Sequence, residues 1–326
     1  MYLLERGLDA NGANHFQDTP LHVASYMGQA DMVSALLEQG ADIDARNKKG
    51  ITPLMFAARK GDLPTLETLL EAGADLSARD KEGASVTFHA VRSKKHEVFD
   101  YLLDAGASPY VFTAQQETLH HAVAAYGTLS MQKRLFEEKL TPYLKNLYAV
   151  SPLHEASKRS DNAMVDNLLF YGLSPSDRDR FQNDAFDYAQ ETGDVSMQLY
   201  RFEHRPKIRE SLGSLPLHKA LRQGHLDEAE VLIKMRKGID QKDCFYNKPL
   251  FYALLNKDTD LVKALLDSGV SGFDIDAFGH SAIFYAILLK NLKAIELLQS
   301  KKKDVLDKPA KRLLKTSDPS IREQFA

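Results

Sequence analysis

Histidine is the residue whose type and recurrence in this chain first invite chemistry. His22, His120, His154 and His218 each follow a leucine and each precede an alanine by two positions. Imidazole is a general base near neutral pH and the commonest metal ligand. A zinc site, however, needs several ligands converging on one point, and these four histidines stand far apart in the chain. His120 and His121 are adjacent, so on a helix they face two directions and make no metal pair. The single cysteine, Cys244, offers neither a disulfide nor a paired-cysteine ligand set. There is no nucleophile elbow, no Gly-Lys-Ser/Thr phosphate loop and no dinucleotide fingerprint. The residues therefore point to no catalytic group, no cofactor and no metal.

The elements that carry these histidines explain why they recur. Thr19-Pro20-Leu21-His22-Val23-Ala24 returns as Thr52-Pro53-Leu54-Met55-Phe56-Ala57 and as Ser85-Val86-Thr87-Phe88-His89-Ala90, a period of 33 residues. Further copies are read as ending at Ala122, Ala156, Ala189, Ala220, Ala253 and Ala286. A period of this size marks a stacked repeat architecture. Within one unit, Thr52 caps and Pro53 starts a short helix. Leu54, Ala57 and Ala58 give it a buried stripe, and Gly61 ends it. A second helix from about Leu63 turns Leu66, Leu69 and Leu70 inward and stops at Gly73. Residues 74–84 then form a finger turned at Gly83.

Each phrase is followed by an apolar pair and often by Gly-Ala-Asp, as in Leu36-Leu37 with Gly40-Ala41-Asp42 and Leu69-Leu70 with Gly73-Ala74-Asp75. With Thr-Pro-Leu-His-x-Ala, this resembles the ankyrin repeat over roughly residues 1–300. The resemblance implies an all-α solenoid of stacked helix-turn-helix units with β-hairpin-like finger loops. It implies that the recurring histidine hydrogen-bonds local backbone, and that another protein binds along the surface made by first helices and finger tips. The expected organisation is a truncated half repeat over 1–18, nine repeats over 19–300 with the fourth and sixth degenerate, and a capping segment over 301–326. The fourth reads as carrying one extra residue. The sixth breaks down near Arg201–Pro206, where a bend or stacking fault competes with ordinary drift.

Composition sets the remaining bounds. Charged residues make up 27% and the net charge is −3, which is no electrostatic footprint for nucleic acid. No apolar run approaches the ~18 residues needed for a membrane span. One cysteine suits a reducing compartment, hence the cytoplasm.

Charge read by face is more informative. Just before the inter-helix turn stand Tyr26-Met27, Arg59-Lys60, Arg92-Ser93, Ala124-Ala125, Lys158-Arg159 and Arg222-Gln223. A basic groove would recruit an acidic surface or segment of a partner; the bland reading is solvated helix ends. The fingers offer Phe16, Lys49, Leu147, Phe181, Phe245 and Phe278 near one position, with Phe112 a few residues earlier in the third. These are either interface anchors or rings resting on the adjacent finger. The Lys-rich stretch 301–315 reads either as a solvated cap or as bait for anionic partners. The sequence thus predicts a monomeric, non-enzymatic scaffold for protein–protein interaction. The alternative is the targeting region of a larger enzyme, or a secreted bacterial effector working in the host-cell cytosol.

Overall fold

A computed structural model describes residues 9–189, 199, 215–243, 247–276, 278–301 and 306–325. The chain divides into two compact units, Met1–Leu140 with Lys145–Arg159, and Thr141–Leu144 with Ser160–Ala326. The expected irregularity at 195–214, and Phe245, lie outside the described residues.

The first unit contains α1 (Pro20–Met27), α2 (Ala30–Glu38), α3 (Pro53–Lys60), α4 (Leu63–Glu71), α5 (Val86–Val91), α6 (His96–Asp104), α7 (Leu119–Tyr126), α8 (Leu129–Glu137) and α9 (Pro152–Arg159). First helices stack as α1 on α3, α5, α7 and α9 in turn, and the second helices pair as α2 with α4 and α6 with α8. The start signals work as expected. The Thr52 hydroxyl accepts the Met55 N–H at 3.4 Å, and the Asp62 carboxylate accepts the Thr65 N–H at 3.1 Å, each satisfying a donor the helix leaves open. Leu54, Ala57, Ala58, Leu66 and Leu69 are buried; the small alanines let neighbouring helices approach. Gly61 ends α3 at φ 75°, where an added Cβ would stand 2.9 Å from that of Ser93.

The fingers are joined edge to edge by backbone. The Lys48 N–H donates to Phe16 O at 2.9 Å, Lys81 to Lys49 at 2.9 Å, Ala114 to Glu82 at 2.7 Å and Leu147 to Gln115 at 2.8 Å. Each finger also closes on an acceptor at its base. Asn47 Oδ1 takes the N–H groups of Lys49 at 2.9 Å and Ile51 at 3.0 Å, an Asx-turn arrangement. Asp80 does the same, and His89 Nε2 donates to its second oxygen at 2.9 Å. No strand forms among the described residues; Arg79–Ser85 and Ile275–Ser281 are isolated antiparallel bridges.

The histidines settle the register and correct it once. His22 Nδ1 accepts the Thr19 N–H at 3.1 Å, and its Nε2 donates to Ile51 O in the next unit at 3.0 Å. In the fourth repeat His121, not His120, makes this pair of bonds, from Thr118 N at 3.2 Å and to Val150 O at 3.0 Å. His120 takes the place of Leu21, with Nε2 on Leu140 O at 3.1 Å and Nδ1 accepting from Gln132 at 2.9 Å. The phrase therefore ends at Val123 rather than Ala122, the period stays at 33 residues, and no extra residue is present. Only this frame gives both rings partners for both nitrogens.

The second unit holds α10 (Asn162–Phe170), α11 (Ala185–Tyr188), α12 (Pro216–Gln223), α13 (Leu226–Lys234), α14 (Pro249–Leu255), α15 (Thr259–Asp267), α16 (Ala282–Leu288), α17 (Leu292–Lys301), α18 (Lys308–Lys315) and α19 (Pro319–Glu323). First helices α12, α14 and α16 stack in order, and α18 lies on α16. Asp307 caps α18 through the Ala310 N–H at 2.7 Å. Leu313 and Ile321 are buried while Lys311, Arg312 and Lys315 face solvent.

This unit departs from a pile in which each repeat touches only its neighbours. The Tyr143 hydroxyl donates to Tyr171 O at 2.8 Å. Its ring lies 6.3 Å from that of Tyr252 and 5.8 Å from that of Phe278, while Tyr171 stacks on Phe278 at 6.2 Å. Arg222 pairs with Asp177 at 3.4 Å, its side chain 9% exposed. Residues of the fourth and fifth repeats thus fill the surface of α12, α14 and the last described finger.

Candidate protein-binding cleft

In the first unit, fingers and first helices enclose a cleft of about 590 Å³. Its cations are Lys48, Lys49, Arg59, Lys81, Arg92 and Lys158, and its carboxylates are Asp80, Glu82, Glu117 and Glu155. The stack produces this directly. One residue per repeat just before the inter-helix turn delivers Arg59, Arg92 and Lys158, while the finger tips deliver Lys49 and Lys81. Phe88, Ala122 and Tyr126 supply the apolar part of the wall.

Among the described residues, none of Lys49, Arg59, Lys81, Arg92 and Lys158 is held in an ion pair. Some cations elsewhere in the chain are paired: Arg134 bridges Asp104 at 2.6 Å and Glu138 at 2.9 Å, and Lys248 joins Asp240 and Asp274, both at 2.7 Å. Arg92 lies over the Tyr126 ring at 4.8 Å, a cation–π contact that restrains the guanidinium while leaving its donors open. Of the acids, Asp80 is committed. Burial pushes its carboxyl up, but hydrogen bonds from His89 and from the Ala84 and Glu82 backbone outweigh this and hold it below the usual range. Glu117 and Glu155 go the other way. Burial raises Glu117, with Glu82 adding to the effect and Arg92 opposing it. Burial likewise raises Glu155, with Glu117 adding and Lys158 opposing.

The expected binding residues divide into three groups. Arg59, Arg92, Lys158 and Lys49 line the cleft. Tyr26, Met27, Lys60, Phe16, Leu147 and Phe181 are exposed beyond it, and Phe112 is half-buried. The third group turns inward. Arg159 Nη1 donates to Gly127 O at 2.7 Å, Arg222 is taken by Asp177, and Phe278 is 8% exposed beneath Tyr143 and Tyr171. For these three the expectation of an open surface position is corrected: each meets a closer protein partner first.

Two residues were missed through register. Ala125 continues the Arg59–Arg92 series and Tyr126 the Lys60–Ser93 series, so the pair at this position is Ala125-Tyr126 rather than Ala124-Ala125, and Tyr148, not Leu147, stands at the finger tip before the left-handed Ala149. The constant period was the signal that locates both. Among the described residues no three His, Cys, Asp or Glu side chains converge as metal ligands, and no helix is long and apolar enough to cross a membrane. What the cleft can do chemically is bind a polar, charged segment.

Comparison with known proteins agrees with this architecture. The family model described as ankyrin repeats (3 copies) matches residues 39–113, 187–271 and 217–308, and that of the single ankyrin repeat matches 16–48. The nuclear factor NF-kappa-B p105 subunit of Rattus norvegicus is 28% identical over 166 residues, 46% of this chain and 17% of that protein. An ankyrin repeat protein of fowlpox virus (strain NVSL) is 25% identical over 126 residues, 39% of this chain and 19% of its own length. The p105 subunit of Gallus gallus is 28% identical over 125 residues, 36% of this chain and 13% of its own. The chain thus spans less than a fifth of the length of these relatives. With capped helix pairs, finger loops and family matches over more than half its length, the chain belongs to the ankyrin-repeat family.

Proposed function

We propose that the chain is a non-enzymatic interaction scaffold whose first-unit cleft grips an acidic segment of another protein. Ankyrin repeats are protein-interaction modules, and the observation that favours this cleft is its clustered cations: Lys49, Arg59, Lys81, Arg92 and Lys158 line one concavity and, among the described residues, none of them is held in an ion pair. Leaving like charges together without counter-ions costs free energy, and an acidic partner removes that cost. Such complementarity raises association rates and selects partners more than it adds affinity.

The test is recovery of binding proteins with the intact chain, followed by affinity measurements at two salt concentrations with Arg59, Arg92 and Lys158 reversed to glutamate. Affinity should fall at least about tenfold, roughly 1.4 kcal/mol, and the salt dependence should flatten. A partner bound equally well by the reversed chain would refute the assignment of this cleft.

A further inference from the structure

The cleft is not uniformly basic, and its pattern says more about the occupant. Glu117 ends the finger that leads into α7, and Glu155 sits on α9. Both are half-buried and both line the same cleft. Neither is held in an ion pair among the described residues, although Arg92 and Lys158 line the same walls; Arg92 is held over Tyr126 instead. Ala122 lines the same cleft, at the position that is Phe56 in α3, His89 in α5 and Glu155 in α9. A methyl group where the two preceding repeats carry a ring takes up less of the cleft beside Glu155, one period on. Arg92 and Lys158 flank this carboxylate pair, and Arg59, Lys81 and Lys49 continue the cationic wall.

We propose that Glu117 and Glu155 are the specificity-determining groups of the cleft. They accept one lysine or arginine side chain of the bound segment, entering over Ala122, while acidic residues on either side of that cation meet Arg59, Arg92 and Lys158. The inference rests on the reading of this cleft as the binding site and narrows it from an acidic partner to one of alternating sign. Complementarity in sign discriminates against a wholly acidic segment, which would press its own carboxylates on Glu117 and Glu155. Burial strengthens this discrimination, since half-desolvated charges are screened less than exposed ones.

The probe is a library of random dodecapeptides displayed on phage and selected on the intact chain. Three proteins are compared: wild type, Glu117→Gln/Glu155→Gln, and Arg92→Glu/Lys158→Glu. The Gln pair preserves shape and neutralises two carboxylates that burial already disfavours, so it is expected to fold; circular dichroism and Tm verify this. Enriched peptides should carry a lysine or arginine between acidic residues and bind the Gln pair at least about tenfold more weakly. Replacing that one cation by norleucine should cause a similar loss on wild type and little further loss on the Gln pair. Peptides acidic throughout, bound by the Gln pair as well as by wild type or better, would overturn the inference and leave the cleft as the binding site. No enrichment, or enriched peptides indifferent to Arg92→Glu/Lys158→Glu, would overturn the underlying reading as well.

Discussion

Replacing Tyr143 by alanine tests the contact that departs furthest from a simple stack. The ring meets two aromatic neighbours, Tyr252 at 6.3 Å and Phe278 at 5.8 Å, and the hydroxyl bonds Tyr171 O at 2.8 Å. Each aromatic pair contributes about 0.5–1.5 kcal/mol beyond buried area, and the hydroxyl bond about 1 kcal/mol. Full truncation of a buried aromatic costs about 3–5 kcal/mol; with this ring partly exposed, about 3 kcal/mol is expected for Tyr143→Ala. Tyr143→Phe, which removes only the hydroxyl, should cost about 1 kcal/mol. Tyr148→Ala, at an exposed finger tip, is the control and should stay within about 0.5 kcal/mol. Urea unfolding followed by circular dichroism gives the energies. Hydrogen exchange gives the location: amides of α14 and α16, about a hundred or more residues along the chain, should lose protection in Tyr143→Ala. A stack with neighbour contacts alone predicts loss confined to the fourth and fifth repeats. Unaltered exchange in α14 and α16 would refute the long-range contact.

Two further perturbations follow from the first unit. Burial pushes His120 and His121 down to about 4, against roughly 6.5 in an unfolded chain. Between these values the unfolded chain binds protons that the folded chain refuses. Stability should therefore be level above about pH 6.5 and fall as pH drops toward about 4, by up to ~1.4 kcal/mol per pH unit for each histidine. Comparing Tm at about pH 7.5 and about pH 5 checks this; His120→Leu with Gln132→Leu should shrink the difference, and an unchanged difference would count against it. Ala149 holds φ 60° in the finger turn where other repeats place Gly50 and Gly83. Ala149→Gly should therefore stabilise the chain by about 1 kcal/mol, whereas Gly83→Ala, whose Cβ would stand 3.2 Å from Ala114 N, should destabilise it. Thermal unfolding of both variants decides the matter.

The helices were legible because each signal is local: Thr52 and Pro53 start α3, and Gly61 stops it. The cations Arg59, Arg92 and Lys158 were legible for the same reason, since one position per period faces the cleft. The fourth repeat misled because two adjacent histidines and two nearby alanines allow two frames. The constant 33-residue period favours one of them, and the bonds of His121 to Thr118 and Val150 decide for it. Glu117 and Glu155 escaped notice because they occupy different positions in their repeats and form no ladder along the chain. The inward turn of Arg222 and Phe278 carries no periodic signal either. It depends on Asp177, Tyr143 and Tyr171, whose proximity arises only after the second unit has folded. A related regularity was present but unread. A finger-base aspartate is followed nine residues later by a ring that bonds it, as Asp80–His89, Asp179–Tyr188, Asp243–Tyr252 and Asp276–Tyr285.

The meeting of Tyr143 with Phe278 also bears on how this chain can change over generations. A run of units joined only to their neighbours tolerates duplication or loss of a member, because every junction is alike. Once a side chain in one unit must find another several units away, copy number between them becomes a fixed dimension. Deleting or inserting one period between 177 and 222 would carry the two rings out of reach and strand Asp177 from Arg222. Natural variation in length should accordingly accumulate among the earlier repeats and be rare in the later ones.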